Sequence, residues 1–397
     1  MSGCLTRLVG IRLALAAAAL APPALAGAEE PEIVFGMSAP FSGVAREMGR
    51  NVRTGIDVAF AAQNDAGGVN GRKLKLLAVD DGAEPARTAA AVKDLLYNRK
   101  VFGIVGCVGT GGAEMAVPLA NEKGALFFGA VSGASFLRNS PPDRYVFNYR
   151  ASYAEETAAI VKYLVEVRRI SPSRIAVFTQ DDAFGEAGFE GVARSLRHYR
   201  QDPAKVLRVR YRRNTADVEG AVRQVARRSK ELGAVVMVAT YKAAARFIER
   251  LREARVRGLV YTNVSDVGAN MLAEELAQLG PGYADGVVVT QVVPLPTAKA
   301  PIVMRYQEEL RRYAPGERPG FLSLEGWLAA RLLVEGLQRA GKGATVDRVI
   351  DALEGMRGID LGIGTTLGFG PSEHQASHMV WGTVIDAKGQ LQPLELQ

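Results

Sequence analysis

The chain has 397 residues, of which 48% are hydrophobic, and it carries a formal charge of +7. This length exceeds what one compact core comfortably holds, so it predicts a protein of two lobes. Basic residues are densest between residues 208 and 230, where either a nucleic-acid interface or a solvated strand and helix face is conceivable. We favour the solvated face, because the N-terminus predicts an exported protein and such a protein rarely meets nucleic acid.

The N-terminus has the three parts of a secretory signal peptide. Arg7 and Arg12 precede a short apolar run at residues 13–20, and small residues follow at 24–28. We therefore predict that residues 1–28 are removed and that the mature protein is periplasmic. Removing the two arginines lowers the formal charge from +7 to +5. No later run reaches the roughly 18 apolar residues that a membrane-spanning helix needs.

The two cysteines indicate neither a lipid anchor nor a disulfide. Cys4 precedes the apolar run, which is not the place of a lipoprotein attachment cysteine. Cys107 is then the single cysteine of the predicted mature chain, so no internal disulfide can form. Its neighbours Val105, Gly106 and Val108 indicate a buried small hydrophobe.

From residue 33 on, short β-type runs alternate with amphipathic helical stretches. The first series has predicted strands at 33–37, 73–80, 101–105 and 125–128, and predicted helices at 49–64, 84–98 and 112–123. The second series begins with a helix at 153–168 and has strands at 174–179, 206–211, 234–239, 259–262 and 287–293. Two more helices, at 301–313 and 321–340, and a β-rich tail with Trp381 follow. The alternation predicts an α/β fold of doubly wound parallel sheets.

A glycine-rich loop at residues 105–112 follows a strand and opens a helix. Its small residues leave backbone amides free to face an anion, and the helix N-terminus adds a favourable partial charge. The loop lacks the spacing of a dinucleotide fingerprint and the Gly-Lys-Ser/Thr of a phosphate-binding loop. We predict that Thr110 Oγ and nearby amides hold a carboxylate, the alternative being a merely tight strand–helix turn.

The most particular wording of the chain is NDAGGVNGRKL at residues 64–74, followed by Asp80-Asp81. Gly67 and Gly68 would end a helix, and Asn70-Gly71 would turn into the next strand. Here the chain resembles the solute-binding proteins related to the leucine/isoleucine/valine-binding protein, and the resemblance extends over residues 33–391.

This resemblance implies two doubly wound parallel-sheet lobes joined by a three-crossing hinge, the Venus-flytrap of type I periplasmic binding proteins. The crossings are expected near residues 150, 291 and 368. The N-terminal lobe would hold residues 31–150 and 292–368, and the C-terminal lobe residues 151–291 and 369–397. The implied protein is a monomer that captures a small-molecule ligand between its lobes and delivers it to an inner-membrane transporter, with no cofactor and no nucleic-acid partner.

Enzyme and metal-site interpretations are disfavoured by the residues themselves. His198, His374 and His378 lie far along the chain from the glycine-rich loop. His374 and His378 have a spacing that can bind a metal on a helix, but Gly370-Pro371 predicts a loop there. No Gly-x-Ser-x-Gly elbow occurs in the sequence, and no candidate nucleophile has a nearby base.

The resemblance also implies ligand contacts. In the family, two loops clamp the carboxylate of the ligand. The residue of the first loop that supplies a hydroxyl corresponds to Thr110 here, and the contacts of the second loop correspond to Val131 and Gly133. Gly133 replaces a family threonine, which leaves only backbone amides there. Tyr241 and Phe184 match aromatic residues of the family site. The whole predicted set is Met48, Val108, Thr110, Val131, Gly133, Phe184, Tyr241, Ser265, Asp266 and Phe321.

One departure from the family bears on the ligand class. Amino-acid-binding relatives keep a glutamate that pairs with the ammonium of the ligand, and its place falls on Ser265, with Asp266 next to it. A neutral serine cannot balance a desolvated ammonium. Either Asp266 has taken over or the ligand has no amine, and we favour the second interpretation.

This departure and the phrases at residues 127–134, 288–294 and 323–326 resemble a branch that binds aromatic carboxylates and other non-amino-acid ligands. We therefore predict a small, largely apolar carboxylate as the ligand. A hydrophobic amino acid, a bulkier lipid-like ligand of an exporter, and a sensory receptor domain of the same fold stay open. A hydrolase is disfavoured by the missing triad.

Overall fold

The computed structural model describes residues 32–396, together with Met1 and Gly3. Apart from those two residues, the predicted signal peptide at residues 1–28 lies outside the described residues. Among the described helices, none combines the length and the apolar composition that crossing a membrane requires.

The described residues form fourteen strands and eleven α-helices. The strands are β1 (Ile33–Ala39), β2 (Leu74–Asp80), β3 (Gly103–Val105), β4 (Leu126–Phe128), β5 (Val146–Phe147), β6 (Ile175–Gln180), β7 (Arg208–Tyr211), β8 (Ala234–Val238), β9 (Val260–Asn263), β10 (Val287–Gln291), β11 (Ile359–Asp360), β12 (Thr366–Leu367), β13 (Trp381–Ile385) and β14 (Leu391–Leu394). The helices are α1 (Arg46–Asp65), α2 (Pro85–Lys93), α3 (Thr110–Lys123), α4 (Tyr153–Lys162), α5 (Ala183–His198), α6 (Glu219–Arg227), α7 (Tyr241–Glu253), α8 (Ala269–Gln278), α9 (Pro301–Tyr313), α10 (Phe321–Ala340) and α11 (Val346–Glu354). Single π-helical turns, Asp94–Asn98 and Tyr163–Val167, continue α2 and α4.

Two sheets organise the two lobes. The first is parallel, in the order β2-β1-β3-β4-β5, and the second has the order β14-β13-β10-β9-β8-β6-β7. In the second sheet β6 to β10 are parallel, whereas β13 and β14 are antiparallel additions from the tail of the chain. Strand β8 is apolar throughout and fully buried, as expected for a parallel sheet that helices cover on both faces.

After β10 the chain returns to the first lobe, where α10 packs along α1. Two glycines permit this close approach. A Cβ on Gly55 would collide with the backbone of Ser323, and a Cβ on Gly326 would collide with the backbone of Val52. The helix crossing therefore depends on residues without a side chain.

The segment after β12 also packs on the first lobe. The Phe369 ring lies against the rings of Phe128 and Phe147, and the His374 ring stacks on Phe147 at 3.8 Å between centroids. Residues after 368, the boundary predicted from the sequence, thus still pack on the first lobe. The division into 31–150 with 292–368 and 151–291 with 369–397 stays a prediction.

The predicted elements are present, with shifted ends. Helix α1 begins three residues before the predicted 49, and β3 and β4 are short. The turn after α1 is confirmed, because Gly67, Gly68 and Gly71 have φ values of 98°, 75° and 90°. Helix α11 and the β11–β12 hairpin were not predicted, and they fill the return segment between α10 and the tail.

Candidate functional site

A cavity lies between the lobes, where strands of both sheets end at their carboxyl ends. Crevices at this edge of open α/β sheets are the usual place of ligand binding. The cavity has a volume of about 60 Å³. Its first-lobe lining is Pro40, Val44, Ala45, Met48, Ala83, Pro85, Thr88, Val108, Gly109, Thr110, Gly111 and Gly112, and its second-lobe lining is Gln180, Asp182, Phe184, Arg213, Asn214, Thr240 and Asp266.

The first-lobe wall is apolar except for Thr88 and the start of α3. Gly109 has a φ of 103°, which turns the chain from β3 into the helix so that Thr110, Gly111 and Gly112 form its first turn at the cavity. The first amides of a helix have no acceptor within the helix, and the helix dipole makes this end partially positive. Thr110 Oγ1 lies 2.8 Å from Ser132 Oγ. Ser132 can donate to Thr110, whose own proton then points to the Tyr153 hydroxyl at 3.2 Å and can turn to an anion in its place.

Tyr153, the first residue of α4, connects the two lobes at this point and was missed in the sequence. Its hydroxyl donates to Asp266 Oδ1 at 2.9 Å and lies 3.2 Å from Thr110 Oγ1. Its ring packs 5.6 Å from the Phe184 ring. Gly133 makes room for it, because a Cβ there would lie 2.5 Å from Tyr153 N and 2.6 Å from the ring atom Cδ1. A larger residue at position 133 would therefore displace Tyr153 from this position.

Behind the cavity, a fully buried arginine gathers three carboxylates. Arg150 Nη2 lies 2.7 Å from Asp266 Oδ2 and 3.2 Å from Glu156 Oε1, and its Nε lies 3.6 Å from Glu325 Oε1. Ser265 belongs to the same cluster, since its hydroxyl contacts Arg150 and donates to Glu156. Burial alone would lower the pKa of Arg150, but the three carboxylates raise it well above its usual value.

The same cluster shifts the pKa of its carboxyl groups. Burial raises the pKa of Glu325 to about 7, and the neighbouring Asp266 and Glu156 add to the effect while Arg150 opposes it. The pKa of Glu156 is raised as well, mainly by burial. Glu325 lies on α10 of the first lobe, whereas Glu156 and Asp266 belong to the second. The cluster therefore joins the lobes electrostatically beside the first crossing.

Asp80 and Asp81, at the end of β2, fix the loop that follows this strand through hydrogen bonds. Asp80 accepts hydrogen bonds from Ser42 Oγ at 2.6 Å and from the Phe41 amide at 2.8 Å. Partial burial raises its pKa, but these hydrogen bonds bring the pKa down to about 2. Asp81 accepts from Ser38 Oγ at 2.7 Å and from Thr88 Oγ1 at 3.0 Å. They fix the loop after β2.

That loop meets the second lobe directly across the cleft. Arg213 Nη2 lies 2.7 Å from Glu84 Oε2, and Asn214 Nδ2 donates to Glu84 Oε1 at 2.5 Å and to the Gly82 carbonyl at 3.2 Å. These contacts between the lobes describe a closed cleft.

The structure brings five of the ten predicted site residues to the cavity wall: Met48, Val108, Thr110, Phe184 and Asp266. The other five do not line it. Val131 pairs with Val108 behind the loop, and Gly133 lies against Tyr153. Ser265 is absorbed by the Arg150 cluster. Tyr241 and Phe321 are buried at the starts of α7 and α10. Ligand contact by any of the ten stays a prediction.

His374, His378 and Cys107 contact neighbouring protein groups and do not line the cavity. His374 Nδ1 lies 2.9 Å from the Val146 carbonyl, and His378 Nδ1 lies 2.6 Å from Glu155 Oε1, which raises the pKa of His378. The two histidines lie in a loop, and within residues 32–396 no three His, Cys, Asp or Glu side chains are grouped to hold a metal ion. Cys107 is buried, and burial raises the pKa of its thiol.

Among the residues at the site that the sequence did not identify are Tyr153, Arg150 and Arg213. Tyr153 carries one available signal, the capping box of Ser152 and Glu155 that places it at the start of α4. Arg213 belongs to the basic run interpreted as a solvated face. Arg150 has one partner nearby, Glu156, but its other partners lie more than a hundred residues away.

Comparisons with known proteins agree with this architecture. A family model described as periplasmic binding protein matches residues 32–390. A crystal structure of a possible leucine/isoleucine/valine-binding protein from Rhodopirellula baltica SH 1 is 38% identical, with a TM-score of 0.87, covering 93% of this chain and 97% of that one. The Leu/Ile/Val-binding protein homolog 3 of Brucella melitensis is 23% identical over 361 residues, 90% of this chain and 92% of its own length.

A solute-binding protein of an ABC transporter from R. palustris, solved in complex with benzoate, shares the fold at 17% identity, with a TM-score of 0.77, covering 91% of this chain and 95% of that one. The family match spans both lobes and the returning segments between them. The chain therefore belongs to the periplasmic binding protein family and has its type I fold.

Proposed function

We propose that this protein is a periplasmic substrate-binding protein that captures a small, largely apolar carboxylate between its lobes and delivers it to an ABC transporter. The observation that carries the proposal is the cavity itself. It lies between two lobes and has a mostly apolar first-lobe wall. The N-terminus of α3, with Thr110, forms the polar part of that wall.

The polar end of the cavity suits an anion. Amides of the first turn of α3 have no acceptor within the helix, and the Thr110 hydroxyl can exchange its contact with Tyr153 for one with an anion. Both lie where the helix dipole favours negative charge. A carboxylate has the acceptor geometry for this set.

The body of the cavity suits a small apolar group. Met48, Val44 and Ala45 come from the first lobe, and the Phe184 ring comes from the second. A volume of about 60 Å³ is several times what one water molecule needs.

The second-lobe wall supports a ligand without an amine. Asp266 reaches the cavity, but its two carboxylate oxygens already face Tyr153 and Arg150. An ammonium would therefore have to displace the guanidinium or the hydroxyl from Asp266 to gain a partner for its desolvated charge. Benzoate, the ligand of the R. palustris relative, is a carboxylate of this kind.

The mechanism is hinge closure without chemistry. Contacts made by both lobes favour the closed state, in which Arg213 and Asn214 reach Glu84. A transporter can then distinguish the closed, loaded protein from the open one by its shape.

The test is titration calorimetry of benzoate and 4-methylpentanoate against their carboxamides, with Thr110→Val and the matched control Thr366→Val. We expect the acids alone to bind, and Thr110→Val to weaken them by about 1–3 kcal/mol because a desolvated anion loses a donor. Thr366, exposed on β12, should have no effect. Equal binding of acids and amides would contradict carboxylate capture, and an unchanged affinity of Thr110→Val would leave Thr110 as a turn residue only.

A further inference from the structure

The buried cluster behind the cavity carries more negative than positive charge. Glu325, Glu156 and Asp266 contribute three carboxyl groups, and Arg150 lies against all three of them. Arg138 is the second cation that acts on Glu325. If every group were ionised, three carboxylates would face two guanidinium groups, and an excess of buried charge is costly. One bound proton removes this excess.

Glu325 is the carboxyl group best placed to hold that proton. Its side chain is 4% exposed, and its one ionic contact among residues 32–396 is Arg150 Nε at 3.6 Å, which is longer than a hydrogen bond. Glu156 accepts hydrogen bonds from a hydroxyl at 2.6 Å and an amide at 2.8 Å, and Asp266 accepts one from a hydroxyl at 2.9 Å. Hydrogen bonds of this kind favour the ionised form, so the proton belongs on Glu325.

The charged and titratable groups around Glu325 come from three parts of the protein. They are Arg150 and Tyr149 of the first crossing, Arg138 of the first lobe, and Glu156 and Asp266 of the second lobe. Burial raises the pKa of Tyr149 well above its usual value, so its hydroxyl stays neutral. Burial lowers the pKa of Arg138 only to about 10, so its guanidinium stays charged near neutral pH. Near neutral pH the proton is therefore exchanged by the carboxyl groups.

The cluster reaches the cavity through Asp266. This residue lines the cavity, and its Oδ2 lies 2.7 Å from Arg150 Nη2. A ligand carboxylate at Thr110 would lie close to it, because the Tyr153 hydroxyl is 2.9 Å from Asp266 Oδ1 and 3.2 Å from Thr110 Oγ1. A further negative charge beside a buried cluster makes each ionised carboxyl group more costly, so an anion in the cavity favours the protonated form of Glu325.

Closure of the cleft acts in the same direction. Glu325 belongs to α10 of the first lobe, whereas Glu156 and Asp266 belong to the second lobe. Opening would separate the carboxyl groups of the two lobes and admit water, and both changes favour an ionised Glu325. Closing reverses them.

We infer that capture of the ligand is coupled to the uptake of a proton by Glu325, so that the protein binds its carboxylate more tightly at acidic than at alkaline pH. This inference rests on the proposed function and adds a regulation of the same site. The ligand anion and the proton enter the closed form together, and the buried cluster stays electrically balanced.

Calorimetry of benzoate and 4-methylpentanoate can count the protons. Each titration is repeated in buffers of different ionisation enthalpy at pH 6, 7 and 8, where carboxylic acids in water stay ionised. The test variant is Glu325→Gln, a neutral group of the same shape. One control is His378→Gln, which removes the histidine whose pKa the neighbouring Glu155 raises, and the other is Glu335→Gln, which removes a half-exposed carboxylate of the same helix.

We expect the wild-type protein to take up about half a proton at pH 7 and to lose affinity about five- to tenfold from pH 6 to pH 8. Glu325→Gln should take up no proton. Because its amide imitates the protonated acid, it should bind at pH 8 as tightly as the wild type binds at pH 6. Both controls should behave like the wild type.

Four results would overturn the inference: no proton uptake by the wild type, uptake that survives in Glu325→Gln, uptake that is lost in either control, or a Glu325→Gln variant that binds neither acid. Each of these leaves carboxylate capture standing, because the wild type still binds the acids. Failure of both acids to bind the wild type at every pH would refute the proposed function together with this inference.

Discussion

Glu325 gives the protein a pH dependence that one substitution should remove. This carboxyl is 3% exposed, and burial among Asp266 and Glu156 raises its pKa to about 7 from 4.5. The folded protein therefore holds a proton that the unfolded chain releases above pH 4.5. The contribution of Glu325 to stability is fully present below pH 4.5 and is lost as the pH rises through about 7.

The magnitude follows from the two pKa values. At about 1.4 kcal/mol for each pKa unit, the whole change is about 3 kcal/mol, of which about 2–3 kcal/mol falls between pH 5 and pH 8. Glu325→Gln replaces the titrating group by a neutral one of the same shape. The stability of the wild-type protein relative to this variant should decline by that amount across the interval.

Urea unfolding at half-unit pH steps measures this difference. The control is Glu335→Gln on the same helix, a half-exposed residue paired with Arg339, where a surface ion pair contributes about 0–1 kcal/mol. A difference between wild type and Glu325→Gln that stays constant from pH 5 to pH 8, or that grows in favour of the wild type, would refute the assignment of a raised pKa to Glu325.

Two further substitutions test the contacts that organise the site, by the same unfolding assay. Gly133→Ala places a methyl group 2.5 Å from Tyr153 N, so it should cost about 1–3 kcal/mol, whereas Gly220→Ala, with open space around it, should cost nothing; equal effects would mean that Tyr153 yields freely. Arg150→Met leaves three buried carboxylates uncompensated and should cost at least about 3 kcal/mol, against less than about 1 kcal/mol for Arg144→Met in an exposed ion pair. A mild effect of Arg150→Met would show that the carboxyl groups simply take up protons.

Local patterns of the sequence predicted the elements well, because strands and helices differ in their apolar period. Helix α11 was missed although its signal is present: Thr345 caps it, and Val346, Val349, Ile350 and Leu353 follow at helical spacing. The loop with Thr110 was found since its chemistry is contained in eight consecutive residues. The sequence resemblance to the family predicted Met48, Phe184 and Asp266 as site residues, and all three line the cavity.

Residues whose role depends on distant partners could not be predicted in this way. Arg150 is buried because Ser265, Asp266 and Glu325 converge on it, and no local pattern indicates that. Arg213 looks like its solvated arginine neighbours until Glu84 of the other lobe reaches it. The resemblance places Ser265 at a ligand-contacting position of the family, but its side chain turns to the buried cluster.

The measurement that tests the central claim most directly is calorimetry of leucine against 4-methylpentanoate, two ligands that differ in the ammonium group. Because Asp266 is engaged with Arg150 and Tyr153, an ammonium would have to break one of these contacts, and stripping it of water costs several kcal/mol. The account predicts that 4-methylpentanoate binds about a hundredfold or more tighter. Leucine binding as tightly as its deaminated analogue, with Asp266→Asn abolishing that binding, would contradict it and make Asp266 the partner of an amino-acid ligand.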